Sequence, residues 1–189
     1  MAIHLVRHGR PASDWGGADA DPGLDSKGLE QARAVAERLL SAPEADRPRR
    51  VVSSPLRRCR ETAAPLAEAI GVALVIDPAV GEIPTPSTIP IETRGAWLRN
   101  AFLGTWAAID GDIDYEDWRQ GVARAVSAWD HTAVFSHFVA INAVTSKIMN
   151  DPRVIVFRPD HTSVSTLDRD SAGALTIRRL GAEAETSVL

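Results

Sequence analysis

Ile3-His4-Leu5-Val6-Arg7-His8-Gly9 is a short run of strand-forming residues that breaks at a glycine and leaves an arginine and a histidine at its carboxyl end. From Arg10 to Pro22 no apolar period follows, so the strand opens into a loop. Asp25 then caps a helix whose stripe Leu29, Ala32, Val35, Ala36, Leu39 and Leu40 keeps helical spacing, and the stretch from Pro43 to Pro48 ends it. Val51-Val52-Ser53 reads as a second strand. The next helix is predicted to open with Ser54 as N-cap and Pro55 at its first position, to bury Cys59, Ala63, Leu66, Ala67 and Ile70, and to stop at Gly71. Leu74 to Ile76 is a third strand.

Beyond a Pro- and Thr-rich stretch from Pro84 to Pro90, Trp97, Leu98, Ala101, Phe102 and Trp106 mark one amphipathic helix, and Tyr115, Trp118, Val122, Ala125 and Trp129 mark another after Asp114. Ala133-Val134-Phe135 is a strand running into Ser136-His137. Phe138 to Met149 is nearly apolar throughout, as a helix buried in a layered protein is. Val154 to Phe157, Ser163 to Leu167 and Ala174 to Leu180 read as strands, the last two joined by a turn at Asp170-Ser171-Ala172-Gly173, and Glu183 to Leu189 as a loose tail. Strands alternating with helices predict an α/β three-layer sandwich with a mainly parallel central sheet, helices on both faces and a helical excursion over one edge. The expected organisation is a single domain over 1–189 with a variable helical insertion at about 84–130.

The 189 residues are 44% hydrophobic, enough for a substantial core, and the formal net charge of -4 argues against a nucleic-acid or anionic-membrane partner. One cysteine excludes an intrachain disulfide, and the N-terminus shows no leader pattern, so a cytoplasmic location is expected. No apolar run reaches the roughly 20 residues of a spanning helix.

Four places put a polar residue just past the carboxyl end of a strand: Arg7-His8, Arg58, Glu82 and His137. In open α/β sheets those ends converge on the binding crevice. Two histidines, two arginines and a carboxylate suit phosphoryl transfer, where charge spreads over the equatorial oxygens and catalysis is positioning plus electrostatic stabilisation. Arginines supply planar, permanently charged forks for those oxygens.

Leu5-Val6-Arg7-His8-Gly9, Leu24-Asp25-Ser26-Lys27-Gly28-Leu29-Glu30-Gln31-Ala32 and Ser53-Ser54-Pro55-Leu56-Arg57-Arg58-Cys59-Arg60-Glu61-Thr62-Ala63 together resemble, in order and spacing, the motifs of the histidine phosphatase (phosphoglycerate mutase-like) superfamily. Val80-Gly81-Glu82-Ile83 resembles the segment bearing that family's acid, and Val134-Phe135-Ser136-His137 the strand before its second histidine. The resemblance implies a metal-independent phosphomonoesterase acting on a small phosphorylated substrate with no cofactor. His8 is then the nucleophile, Arg7, Arg58 and His137 hold the phosphoryl group, and Glu82 is the general acid. A phosphoglycerate mutase-like phosphotransferase and an inactive phosphate-binding or interaction module are the alternatives.

The chain also departs from the pattern. Phe138 follows His137 where the family usually has glycine; its backbone N–H sits at a helix N-terminus and its side chain is expected in the pocket wall. Mutase-like members carry Glu-Ser and then Asn after the signature, whereas this chain has Arg10-Pro11-Ala12-Ser13-Asp14, so Asp14 brings a negative charge to the site. Trp15, in the loop after the signature, is a candidate for the mouth of the pocket or an ordinary loop residue, and Arg10, Arg94 and Arg99 are either solvated surface charges or contacts for a second anionic group. Arg57 and Arg58 point about 100° apart on a helix, so one of them faces the crevice. Asp77 and Glu92 compete with Glu82 for the acid's role. His4, His131 and His161 are read as structural, Cys59 as core, and no zinc-type Cys/His spacing is present.

Overall fold

The computed structural model describes residues 1–13, 19 and 21–184. Six strands, β1 (Ala2–Arg7), β2 (Arg50–Ser53), β3 (Leu74–Ile76), β4 (Thr132–Ser136), β5 (Val164–Arg169) and β6 (Leu175–Arg179), form one sheet in the order β3-β2-β4-β1-β5-β6. The first four run parallel, and β5 pairs antiparallel with both β1 and β6. Every residue of β1 is buried, as a central strand covered on both faces requires.

Side chains along each strand alternate between two cores. Ile3, Leu5, Val52 and Val134 face one, where α4 (Tyr115–Ser127) and α5 (Phe138–Ile148) supply Val122, Val126, Ile141 and Val144. Val6, Val51, Ala133 and Phe135 face the other, closed by Val35, Ala36 and Leu39 of α1 (Ser26–Leu40) and Ala63 and Leu66 of α2 (Arg57–Ile70). The short α3 (Arg94–Ala101) joins α4 on the α5 face, and α4 lies against the turn at Pro78–Val80 that follows edge strand β3. This is the three-layer α/β sandwich expected, with the excursion of helices on one side.

Local signals set most helix ends. The Asp25 carboxylate accepts from Gly28 N at 2.7 Å, Asp114 accepts from Glu116 N and Asp117 N, and Gly71 closes α2 in the left-handed region at φ 68°.

Four boundaries differ from the sequence expectation. Helix α2 starts at Arg57 with Leu56 as N-cap, because Ser54 extends the strand, donating its N–H to Phe135 O at 3.0 Å, while its hydroxyl oxygen accepts from His137 Nε2. Helix α3 stops at Ala101, and Trp106 sits in a separate turn, its N–H on Pro152 O and its indole on Ser146 Oγ. Val154 to Phe157 is no strand: the Asn142 side-chain oxygen accepts from Val156 N and Phe157 N, so α5 takes the place of a neighbouring strand. Glu183 and Ala184 are tied to Pro159 and Arg158 rather than loose.

Candidate active site

Register brings the strand ends together: Arg7 lies opposite Ser136, and Ser53 opposite Phe135. The loop leaving β1 is pinned against both helices of one face. A Cβ on Gly9 would meet Gly28 O at 2.8 Å, and one on Gly28 would meet Arg10 O at 2.2 Å, so two glycines let the loop and α1 touch backbone to backbone. Gly9 N donates to Thr62 Oγ1 and Arg10 N to Gln31 Oε1, both at 2.9 Å.

His8 is held in the middle, 2% exposed, with its N–H on Ser136 O. Its Nδ1 stands 2.8 Å from Gly9 O. A carbonyl only accepts, so Nδ1 carries the proton and the lone pair of the neutral ring is on Nε2. Burial, and after it His137, Arg58 and Arg7, hold the His8 pKa well below the usual histidine value.

Arg7 shares the orientation of Ile3 and Leu5 and therefore points to the α5 face, where its guanidinium lies 5.3 Å from the centre of the Phe138 ring. Nη1 donates to Pro159 O at 3.0 Å, and Nε is buried with no hydrogen-bond partner among the described residues. Burial lowers the Arg7 pKa to about 10, against the pull of Glu82 and Asp160, so the group stays charged at neutral pH. Phe138 is core, 2% exposed and packed on Phe102 at 5.6 Å; it supports Arg7 from beneath and takes part in the pocket through that arginine.

Arg58 Nη2 lies 3.1 Å from His137 Nδ1, and His137 Nε2 lies 2.7 Å from Ser54 Oγ. A guanidinium only donates, so Nδ1 accepts and Nε2–H donates to the serine. The two rings His8 and His137 meet edge to face at 5.3 Å. Burial first, then Arg58, Arg94 and Arg7, keep the His137 pKa low.

Glu82 completes the cluster. Ser136 Oγ donates to Val80 O at 2.7 Å and fixes the turn before it, while Glu82 Oε1 accepts from Ile83 N. Oε2 is buried without a hydrogen-bond partner among the described residues, 3.6 Å from Arg58 Nη2 and 3.5 Å from His137 Nδ1. A buried carboxylate oxygen without a hydrogen bond is costly, and the Arg58 and His137 nitrogens are the groups that stand next to it.

Arg7, His8, Arg58, Glu82 and His137 thus come together. Arg57 turns outward to Glu61 at 2.6 Å, Asp77 caps its own turn on Ala79 N, and Glu92 is exposed. Arg10 is exposed and paired with Asp25. Asp14 and Trp15 lie outside the described residues.

Three neighbours of the site, Ser54, Thr62 and His161, were not read from sequence as such, and for a fourth, Arg94, the sequence left two readings open. Ser54 and Thr62 anchor His137 and the Gly9 loop. Arg94 is half-buried rather than a solvated charge: it donates to Thr85 Oγ1 and Ile83 O beside Glu82, and burial lowers its pKa, with Glu82 opposing and Arg58 adding to the shift. His161 stands 5.8 Å from His8, ring to ring. Ser54 and Thr62 lie inside the 53–63 motif, whereas Arg94 and His161 lie outside every motif quoted above.

A family model described as the histidine phosphatase superfamily (branch 1) matches residues 3–182. The "Probable phosphoglycerate mutase GpmB" of Enterobacter sp. (strain 638) is 32% identical over 174 residues, 80% of this chain and 76% of that protein. The transcription factor tau 55 kDa subunit of Saccharomyces cerevisiae is 30% identical over 99 residues, 47% of this chain, and the match spans only 22% of its length. Among solved structures, a phosphoserine phosphatase from Entamoeba histolytica in complex with 3-phosphoglyceric acid superposes with a TM-score of 0.75 at 17% identity, covering 96% of each chain.

Proposed function

Because the chain belongs to the histidine phosphatase superfamily, branch 1, we propose that it hydrolyses a small phosphomonoester through a phosphohistidine on His8, without a metal ion. The observation that carries this is the His8 tautomer: a buried, neutral ring with Nδ1–H fixed on Gly9 O and the Nε2 lone pair left for attack, beside two guanidinium groups. Nε2 attacks phosphorus, and the bond to the leaving oxygen breaks. Arg7 and Arg58 hold the equatorial oxygens. His137 lies beside them as the neutral ring, holding the Arg58 guanidinium in place through Nδ1 while its Nε2–H is directed to Ser54. Glu82, as the carboxylic acid, gives its proton to the leaving oxygen. As carboxylate it then takes one from the water that attacks the phosphohistidine, and phosphate leaves with His8 restored. The proposed setting is the cytoplasm, where a single buried thiol needs no oxidising partner.

Purified protein assayed against a panel of phosphomonoesters should release inorganic phosphate equally with and without EDTA, because Arg7 and Arg58 supply the positive charge. Loss of turnover on chelation, restored by Mg²⁺ or Zn²⁺, would overturn the mechanism. The kinship with a probable phosphoglycerate mutase favours one second reading, transfer of phosphate between glycerate positions. In the same panel that reading demands isomerisation of a phosphoglycerate, stimulated by a bisphosphorylated primer, in place of net phosphate release.

Arg58→Ala should lower kcat/KM by about a hundredfold, the scale of losing one preorganised contact to transition-state charge. Arg57→Ala should stay within about threefold, since Arg57 loses only an exposed ion pair. Equal effects of the two substitutions would put the phosphate elsewhere.

A further inference from the structure

The turn 159–163 is bound to Arg7 from both sides. Thr162 N donates to Arg7 O at 3.1 Å, Arg7 N donates to Ser163 O at 3.2 Å, and Arg7 Nη1 reaches Pro159 O. Arg38 adds a bond from Nη2 to Thr162 O, and Asp160 N is held by Ala182 O. Thr162 takes a left-handed backbone, φ 55°, which a β-branched residue adopts only where its surroundings force it. What this strained and heavily tied turn does is carry His161 to His8.

His161 differs from the two histidines already placed. His8 and His137 are sealed in, whereas the His161 side chain is 24% exposed, so it stands between the buried nucleophile and solvent. The nearest carboxylate oxygen, Asp160 Oδ1, is 3.9 Å from its Nδ1, too far for a hydrogen bond, and among the described residues no group hydrogen-bonds the ring. Its pKa is lowered to about 4, by burial and then by Arg7 and Arg10, against Asp160 and Asp25, so the ring is neutral and keeps one N–H to give. Arg7 and Arg10 are the cations it faces, while Glu82 lies with Arg58 and His137. A group alongside the nucleophile, rather than across phosphorus from it, meets the equatorial oxygens and not the leaving group.

We propose that His161 is a further phosphate-binding residue, whose imidazole donates to an equatorial oxygen on the Arg7 side and helps set how tightly the site holds a phosphomonoester. The inference rests on the phosphoryl group docking beside His8.

The test is titration of inorganic phosphate and orthovanadate into wild type and into His161→Phe, His161→Asn and His161→Ala by calorimetry, together with KM and kcat on a nitrophenyl phosphate. Phe keeps the ring's bulk without a donor, and Asn keeps a donor. Phe and Ala should weaken both anions about tenfold and raise KM alike, as loss of a hydrogen bond to a charged group does, with kcat changed by less than about threefold. Asn should recover most of the affinity. A Phe variant that binds both anions like wild type would show that the ring only fills space and would overturn the inference while leaving the phosphatase reading intact. A folded wild type that binds neither anion would overturn both.

Discussion

His8→Ala removes turnover, by about three orders of magnitude or more, and leaves the protein folded. Loss of an attacking group costs on this scale because the residues around it act as one unit and have nothing left to stabilise. The fold should tolerate the change. The backbone of His8 stays bonded to Ser136 O, and the loop after it keeps its bonds from Gly9 N to Thr62 and from Arg10 N to Gln31. The substitution orphans the Gly9 carbonyl and opens a small cavity, together on the order of 1–3 kcal/mol, less than a typical domain's stability. Circular dichroism and a thermal melt separate this outcome from unfolding. In the wild type, acid-free quenching during turnover should show phosphate covalently on His8 by mass analysis. That label should fall off in acid, since a P–N bond weakens once its nitrogen is protonated. An active enzyme that never carries phosphate on His8, or a fully active His8→Ala variant, removes the central claim.

Much of this architecture was readable because it is written in local terms. The capping carboxylates Asp25 and Asp114, the stop at Gly71 and the two-residue alternation of β1 each act within a few residues of themselves. Where the sequence misled, a distant partner had intervened. Val154 to Phe157 has strand composition, but the Asn142 side chain takes the hydrogen bonds that a strand would have had. Ser54-Pro55 has the form of a helix start, but the serine hydroxyl serves His137, 83 residues along the chain.

The site divides in the same way. Arg7, His8, Arg58, Glu82 and His137 follow strands whose carboxyl ends a parallel sheet must bring to one edge, so the pattern of elements alone collects them. Arg94 and His161 come from a helix in the variable segment and from a turn before an antiparallel strand, where no rule of topology aims a side chain at the crevice. Only the contacts with Ile83, Thr85 and Arg7 do so. Arg57 beside Arg58 shows the converse: helical geometry separated them in advance, and the Glu61 ion pair is where the outer one ends.

Glu82→Gln should slow hydrolysis of an alkyl phosphomonoester by about a thousandfold, within the usual range for a general acid and base, while binding of phosphate or vanadate changes little or improves. The amide is nearly the carboxylate's shape and keeps an acceptor for Ile83 N, so the turn fixed by Ser136 and Val80 stays in place. What it loses is the acidic proton that the proposed mechanism places on Glu82, whose Oε2 stands 3.5 Å from His137 Nδ1. The two half-reactions should respond differently to the leaving group. With nitrophenolate, which needs no proton to depart, phosphohistidine forms at nearly the wild-type rate. The attacking water still needs its base, so hydrolysis remains slow. Single-turnover kinetics on the nitrophenyl ester should therefore show a burst of nitrophenolate close to one per site, followed by slow release of phosphate, with label accumulating on His8. If Glu82 merely balanced the charge of Arg58, both half-reactions would slow together on every substrate, no burst would appear, and anion binding would shift instead. A Gln variant that retains full activity on alkyl esters would move the acid's role to another residue.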